Sequence, residues 1–380
     1  MMRGSMMTLG TRTKLLWLAF VIGLPAIFLS ATSISAQKTV RDLPPPPAPW
    51  KAKPKPTPKP EPEVIEDVVK VTSNLVMVPV SVTDNQGQAV QGLQIPDFRL
   101  EEEGKQQEIA EIGDPEQVPL AIAILFDISS SVSQKGFFIF QQNAAAAFLK
   151  QVMKPIDKAA VFTIAGKPSL VQPLAPAETA AAKVVTIPAA TSSVPTAFYD
   201  SVIAAAKYLA ENSPSRNRRV IVVISDGDDN FSERIREFSV AEARANMRGD
   251  VTPSAALVAA QDRHRRAVLD VQQAVLKADA TFYSVNPGGA SVKLNQISMR
   301  AQAGMSTVAE ASGGTAFIPE ADKDLEAVFR RVAAELRGQY LLQYYASSDI
   351  PSGQFRRIAV AVPTRQVRVR ARQGYYAKKQ

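Results

Sequence analysis

The 380-residue chain contains no cysteine and a single histidine. Without thiols it has no disulfides, no thiolate metal site, no cysteine nucleophile and no lipid-bearing cysteine. The compartment stays open, because exported proteins also fold without disulfides. One histidine, His264, is too few for the usual zinc hydrolase ligand sets and gives poor material for a serine–histidine triad. It lies in Gln-Asp-Arg-His-Arg-Arg, which reads as a polar helical stretch with a solvated imidazole. Neither a phosphate-binding P-loop nor a G-x-S-x-G nucleophile elbow is present.

What the chain does have is an ordinary globular composition, 46% hydrophobic and 21% charged, with a formal charge of +8. Arg3, Arg12 and Lys14 belong to a basic opening, followed by the apolar run Leu15 to Leu29 and then Ser-Ala-Gln at 35–37. That order is the layout of a secretory signal, with cleavage expected after Ala36. Fifteen helical residues reach about 22 Å, short of a hydrocarbon core of roughly 30 Å, and Pro25 disfavours a lasting helix; an uncleaved anchor is the alternative. Residues 44–62 hold ten prolines, a composition that favours an extended rod of roughly 60 Å. Near the other end Arg356, Arg357, Arg365, Arg368, Arg370 and Arg372 cluster. Residues 368, 370 and 372 alternate and share one face of a strand. No nucleic-acid recognition motif surrounds them, so a solvated or edge-protecting face is expected, with no nucleic-acid partner.

From Leu120 onward apolar strands alternate with helical periodicity. AIAILF at 121–126 and RRVIVVISDG at 218–227 are continuous apolar runs of the kind covered on both faces. Further strands are expected at 159–165, 169–175 (an edge), 281–287 and 315–319, and helices at 136–151, 197–212, 295–311 and 325–338, with one long helical region from about 232 to 279. This is an α/β pattern, a doubly wound and mostly parallel sheet, and ligands of such sheets bind beyond the carboxyl ends of the strands.

Three polar clusters fall at those ends: Asp127-Ile128-Ser129-Ser130-Ser131, Thr196 before a helix, and Asp226-Gly227-Asp228-Asp229. Positions 127, 129 and 131 can aim one carboxylate and two hydroxyls at one point. All these donors are oxygens, which suits Mg²⁺, Ca²⁺ or Mn²⁺ rather than zinc. Asp228 and Asp229 read as neighbours of the metal shell or as solvated groups. The D-x-S-x-S at 127–131, the threonine of T-A-F-Y-D and the aspartate of S-D-G-D-D resemble the metal-ion-dependent adhesion site of von Willebrand factor A domains. The resemblance implies a von Willebrand A, Rossmann-like fold and one divalent cation, Mg²⁺ first. Ser129, Ser131 and Thr196 would contact it, and Asp127 and Asp226 would act directly or through water. It further implies a partner protein whose Asp or Glu carboxylate completes the coordination, and no catalytic residue. Pro195 stands where many relatives have glycine, which stiffens the loop; Thr191 is the fallback ligand.

The flanks carry strand patterns. Residues 74–90 alternate into a turn at 84–87, a second turn is expected near Glu103-Gly104, and 339–346, 355–362 and the closing VRVRARQGYYA follow the main domain. They resemble the von Willebrand A-containing proteins abundant in acidobacteria. The expected organisation is a signal at 1–36, a proline-rich linker at 37–63, a von Willebrand A domain at 117–338, and one β-sandwich-like module split between 64–116 and 339–380, with two independent sheets as the alternative. The functional expectation is an exported, periplasmic or extracellular, non-enzymatic binding protein; a metal-free scaffold and a metal-dependent hydrolase are the competing readings.

Overall fold

A computed structural model describes residues 74–129, 132, 138–190, 192–288, 296–319, 324–346 and 351–377. The expected signal and linker, Ser130, Ser131 and the fallback Thr191 lie outside the described residues.

Four short strands come first: β1 (Leu75–Thr83), β2 (Arg99–Glu102), β3 (Lys105–Gln107) and β4 (Glu111–Gly113). The α/β unit follows. Its strands are β5 (Leu120–Asp127), β6 (Lys158–Ile164), β7 (Ser169–Ala175), β8 (Arg218–Ile224), β9 (Ala280–Val285) and β10 (Ala316–Phe317). They lie in the order β10-β9-β8-β5-β6-β7, parallel throughout except for β7. The strand alternation explains why both faces are covered. Leu120, Ile122, Ile124 and Phe126 pack with α1 (Phe138–Val152), α2 (Ala177–Val185) and α8 (Leu325–Arg337). Ala121, Ala123 and Leu125 face the opposite layer, formed by α3 (Phe198–Asn212), α6 (Pro253–Lys277) and α7 (Gln296–Ser312). The doubly wound α/β fold expected from periodicity is therefore present.

The single helical region expected over 232–279 is divided into α4 (Glu233–Arg236), α5 (Val240–Arg248) and α6. The divisions follow local chemistry. Ser239 and Glu242 form a capping box, Gly249 ends α5 at φ 73°, and Thr252 caps the start of α6 with Pro253 in its first turn.

Beyond α8 come β11 (Tyr340–Tyr345), β12 (Phe355–Ala361), β13 (Arg368–Ala371) and β14 (Gly374–Tyr376). They pair with the first strands into two antiparallel sheets, β13-β1-β11-β4 and β14-β12-β2-β3. One apolar core lies between them: Val78, Val80, Val82, Leu342 and Tyr344 meet Leu100, Ile358 and Tyr375. Of the two expectations for the late arginines, a solvated or an edge-protecting face, the first holds for only some of them, while β13 does lie at a sheet edge. Arg356 reaches buried Glu102 at 3.0 Å, Arg370 reaches Glu335 at 2.6 Å, and Arg372 reaches Asp279 at 2.6 Å. The cause is placement: the strands lie against acidic side chains of neighbouring elements, and only Arg357, Arg365 and Arg368 keep an exposed position. Among the described residues no helix is long and apolar enough to cross a membrane.

Candidate metal centre

Chain order makes β5 the point where the sheet reverses: β6 is laid on one side of it and β8 on the other. The crevice at the carboxyl ends of β5 and β8 is the switch point at which doubly wound sheets bind ligands. Asp127 closes β5 there, fully buried. One carboxylate oxygen, Oδ1, accepts the Ser129 N–H at 2.7 Å, and Oδ2 accepts the Ser225 hydroxyl at 2.5 Å. Ser225 in turn accepts the Gly227 N–H at 2.9 Å. This turn needs glycine at 227, where φ is +77° and a Cβ would stand 2.7 Å from Met305 Cε.

Asp226, half-buried, stands close enough to act on Asp127. Burial first, and the Asp226 charge second, push the Asp127 carboxyl up to about 6, against hydrogen bonds from Ser129 and Ser225 that pull it down. Among the described residues no ammonium or guanidinium group is a leading influence on it.

Thr196 is buried on the adjoining loop. Its N–H donates to Asn230 Oδ1 at 2.9 Å, and its carbonyl accepts the N–H groups of Asn230 and Phe231 at 3.1 and 3.0 Å. Ala197 N–H donates to Ala165 O at 2.8 Å, and Ile128 N–H to Ile164 O at 3.2 Å, so the loops after β5, β6 and β8 and the one before α3 are stitched together. Asp229 is the pin: of the two expectations for it, a neighbour of the metal shell or a solvated group, its burial removes the second. It is 5% exposed and accepts from Tyr199 N at 2.8 Å, Ser232 N at 2.9 Å, Phe231 N at 3.1 Å and Ser232 Oγ at 2.5 Å. The bond from Tyr199 satisfies an orphan donor in the first turn of α3, which Ala197 as N-cap residue cannot do.

His264 is also not solvated. Its half-buried ring lies edge-on to Tyr199, with centroids 6.0 Å apart and Nδ1 3.2 Å from the Tyr199 hydroxyl. Burial first, then Arg300 and Arg263, push it down to about 4. Sequence reasoning missed Ser225, Asn230 and Tyr199; only Ser225, adjoining the S-D-G turn, had a local signal.

The residues fit a hard divalent ion. Two carboxylates repel each other in a crevice beside Ser129 and Thr196, and oxygen is the donor throughout. Among the described residues no group of three His, Asp or Glu side chains converges, so a metal here relies on hydroxyls as well.

No protein-family model matches the chain, and no curated protein sequence matches it. Among solved structures it is similar to a von Willebrand factor type A protein from Catenulispora acidiphila, at 14% identity and a TM-score of 0.40, over 70% of this chain and 51% of that one. It thus spans about half the length of that protein. It is also similar to the vWF domain of the type V pili tip protein Mfa5 from Porphyromonas gingivalis, at 12% identity and a TM-score of 0.39, over 57% and 94% of the two chains. A third is proximal thread matrix protein 1 from the mussel byssus with a zinc-occupied metal-ion-dependent adhesion site, at 11% identity and a TM-score of 0.40, over 62% and 49%. The candidate centre stands on this chain's own residues.

Proposed function

We propose that this protein is an exported, von Willebrand A-type binding module that captures a protein partner through one divalent cation, Mg²⁺ first. Asp127, Ser129, Ser131, Thr196 and Asp226 would hold the ion. The observation that carries the reading is the carboxylate pair of Asp127 and Asp226, buried and half-buried at the switch point, with no basic group of the described residues among the leading influences on Asp127. A cation removes that repulsion. With hydroxyls sharing its coordination the ion keeps much of its charge, and an Asp or Glu of the partner can complete the shell. Binding, without turnover, needs nothing more.

A protein partner is favoured by the surface beside the centre. Asp229 holds Tyr199, and Tyr199 meets His264 on α6, so the residues of α6 before His264 rise next to the site. Leu257 and Val258 on that stretch, with Phe238, Val240 and Met247 on and before α5, whose Glu242 pairs with Arg263 of α6, are 46–88% exposed, a density of exposed apolar side chains that marks interaction surfaces. The signal-like opening supports export, and the proline-rich stretch that follows it would serve as a spacer.

Calorimetric titration of Mg²⁺, Ca²⁺ and Mn²⁺ tests the centre directly, wild type beside Asp127→Ala. Saturable binding lost in the variant is expected, and a wild type that binds none of the three, with or without a carboxylate peptide, overturns the metal reading. A partner complex that survives chelator would instead assign recognition to a metal-free scaffold.

A further inference from the structure

A second concave feature lies at the opposite edge of the parallel sheet, where β8 and β9 begin. It is a cavity of about 420 Å³ between that edge and the β-sandwich. Its apolar wall is β1. The strand turns Val78, Val80 and Val82 into the sandwich core, so the alternate positions Leu75, Met77 and Pro79 present their other face to the cavity, beside Tyr376.

The polar side is basic. Arg218 and Arg219, 7% and 4% exposed, line the cavity with exposed Arg216. Arg218 donates to the carbonyls of Leu336 at 2.8 Å and Pro115 at 3.1 Å; Arg219 donates to those of Ala278 at 2.9 Å and Ser213 at 3.0 Å. Carbonyl dipoles solvate these cations without neutralising them. Among the described residues none of the three forms an ion pair. The acidic side chain of the lining, Asp279, pairs with Arg372 and also acts on Arg219, which leaves four arginines of the lining against one carboxylate. Buried charges are ordinarily paired, and burial works against the charge of Arg218, with Asp157 the largest offset.

We infer that this cavity is a binding site for a small amphipathic anion, a carboxylate on a straight apolar tail. The tail lies along Leu75, Met77 and Pro79. The carboxylate sits at Arg216, in the positive field of Arg218 and Arg219. Pockets of this size, with an apolar wall and a few convergent polar groups, are the usual form of small-ligand sites. A free medium-chain fatty acid and the apolar carboxy-terminus of a peptide share this chemistry.

The test is calorimetric titration of the full chain, in chelator so that the candidate metal centre is silent. Probes are decanoate, decanol, acetate, and a leucine-terminated peptide with a free or amidated carboxy-terminus. One-to-one saturable binding of decanoate or of the free-ended peptide is expected, the tighter of the two naming the source. Decanol, acetate and the amidated peptide should bind at least tenfold more weakly than their counterparts. Met77→Trp fills the apolar wall and should remove binding; Arg216→Gln, on an exposed turn, should weaken it about tenfold with the fold unchanged by circular dichroism. Absence of saturable binding by either anion overturns the inference. So does equal binding of decanol and decanoate, or wild-type affinity in Arg216→Gln.

Discussion

At the scale of single residues, Asp127 concentrates the chemistry of the candidate centre. Its carboxyl, near 6 in the fold against 3.8 when free of it, holds a proton that the unfolded chain has released between those values. Stability from this group is therefore fully present below about pH 4 and lost as pH rises through about 6. His264, pushed down to about 4, has the opposite sign: its contribution is present above about 6.5 and lost as pH falls toward 4. The two oppose each other in one window, so the wild-type curve alone cannot separate them. Asp127→Asn can. In metal-free protein it should raise the melting temperature at pH 7.5, by a gain on the order of 3 kcal/mol, and the advantage should shrink to about a third of that at pH 4.5 and vanish near pH 3. An advantage equal at both pH values would refute the assigned repulsion. With metal present the sign reverses for binding: Mg²⁺ uptake at pH 5.5 should release close to one proton, and at pH 8 almost none, measured by calorimetry in buffers of different ionisation enthalpy. Asp127, Thr196 and Asp226 were legible in the sequence because each adjoins the end of an apolar run or the start of a helical one. The Ser225 hydroxyl on Asp127 was not, since its partner is 98 positions away.

At the scale of elements, the loop after β8 is held to the start of α3 by one carboxylate. Asp229 accepts four hydrogen bonds while nearly buried, and an alanine in its place leaves those donors without partners. Asp229→Ala should destabilise the protein by about 3 kcal/mol, read as a lower urea midpoint at unchanged slope. It should also weaken Mg²⁺, because Thr196 shares that loop through Asn230. Wild-type stability with wild-type affinity would show the pin to be dispensable. The element pattern itself was readable where apolar runs were long: β5 and β8 stand where 121–126 and 218–227 placed them. The region 232–279 was less readable because helical periodicity runs through it, yet Gly249 and the Thr252–Pro253 pair were punctuation in plain view. The arginine stripe shows the converse limit. Alternation put Arg370 of β13 and Arg372 just beyond it on one side of the chain, but only the fold could say that acidic residues from α8 and the end of α6 meet them.

At the scale of the whole molecule, the α/β unit is an insertion within a sandwich whose sheets need both ends of the chain. Val80 pairs with Tyr340 and with Ala371, and Leu100 with Val360, across separations that local sequence cannot encode. The two parts are tied by specific bonds. Arg218 on β8 reaches Pro115 O, Gln373 N–H donates to Ala311 O at 2.9 Å, and Arg372 joins Asp279 at the end of α6 to Met77 O on β1. The Arg372 side chain is only 10% exposed, so its loss removes the ion pair to Asp279 and the donor to the β1 carbonyl. Wild type should accordingly unfold in one calorimetric transition, the two parts melting together. Arg372→Ala should cost about 2 kcal/mol, and combined with Arg370→Ala it should split the transition, the sandwich melting first because it has the smaller core. Two transitions in the wild type would mean the ties do not couple the parts. A single transition in the double variant would place the coupling in Arg218 and the backbone bonds instead, since those ties remain when both β13 arginines are gone.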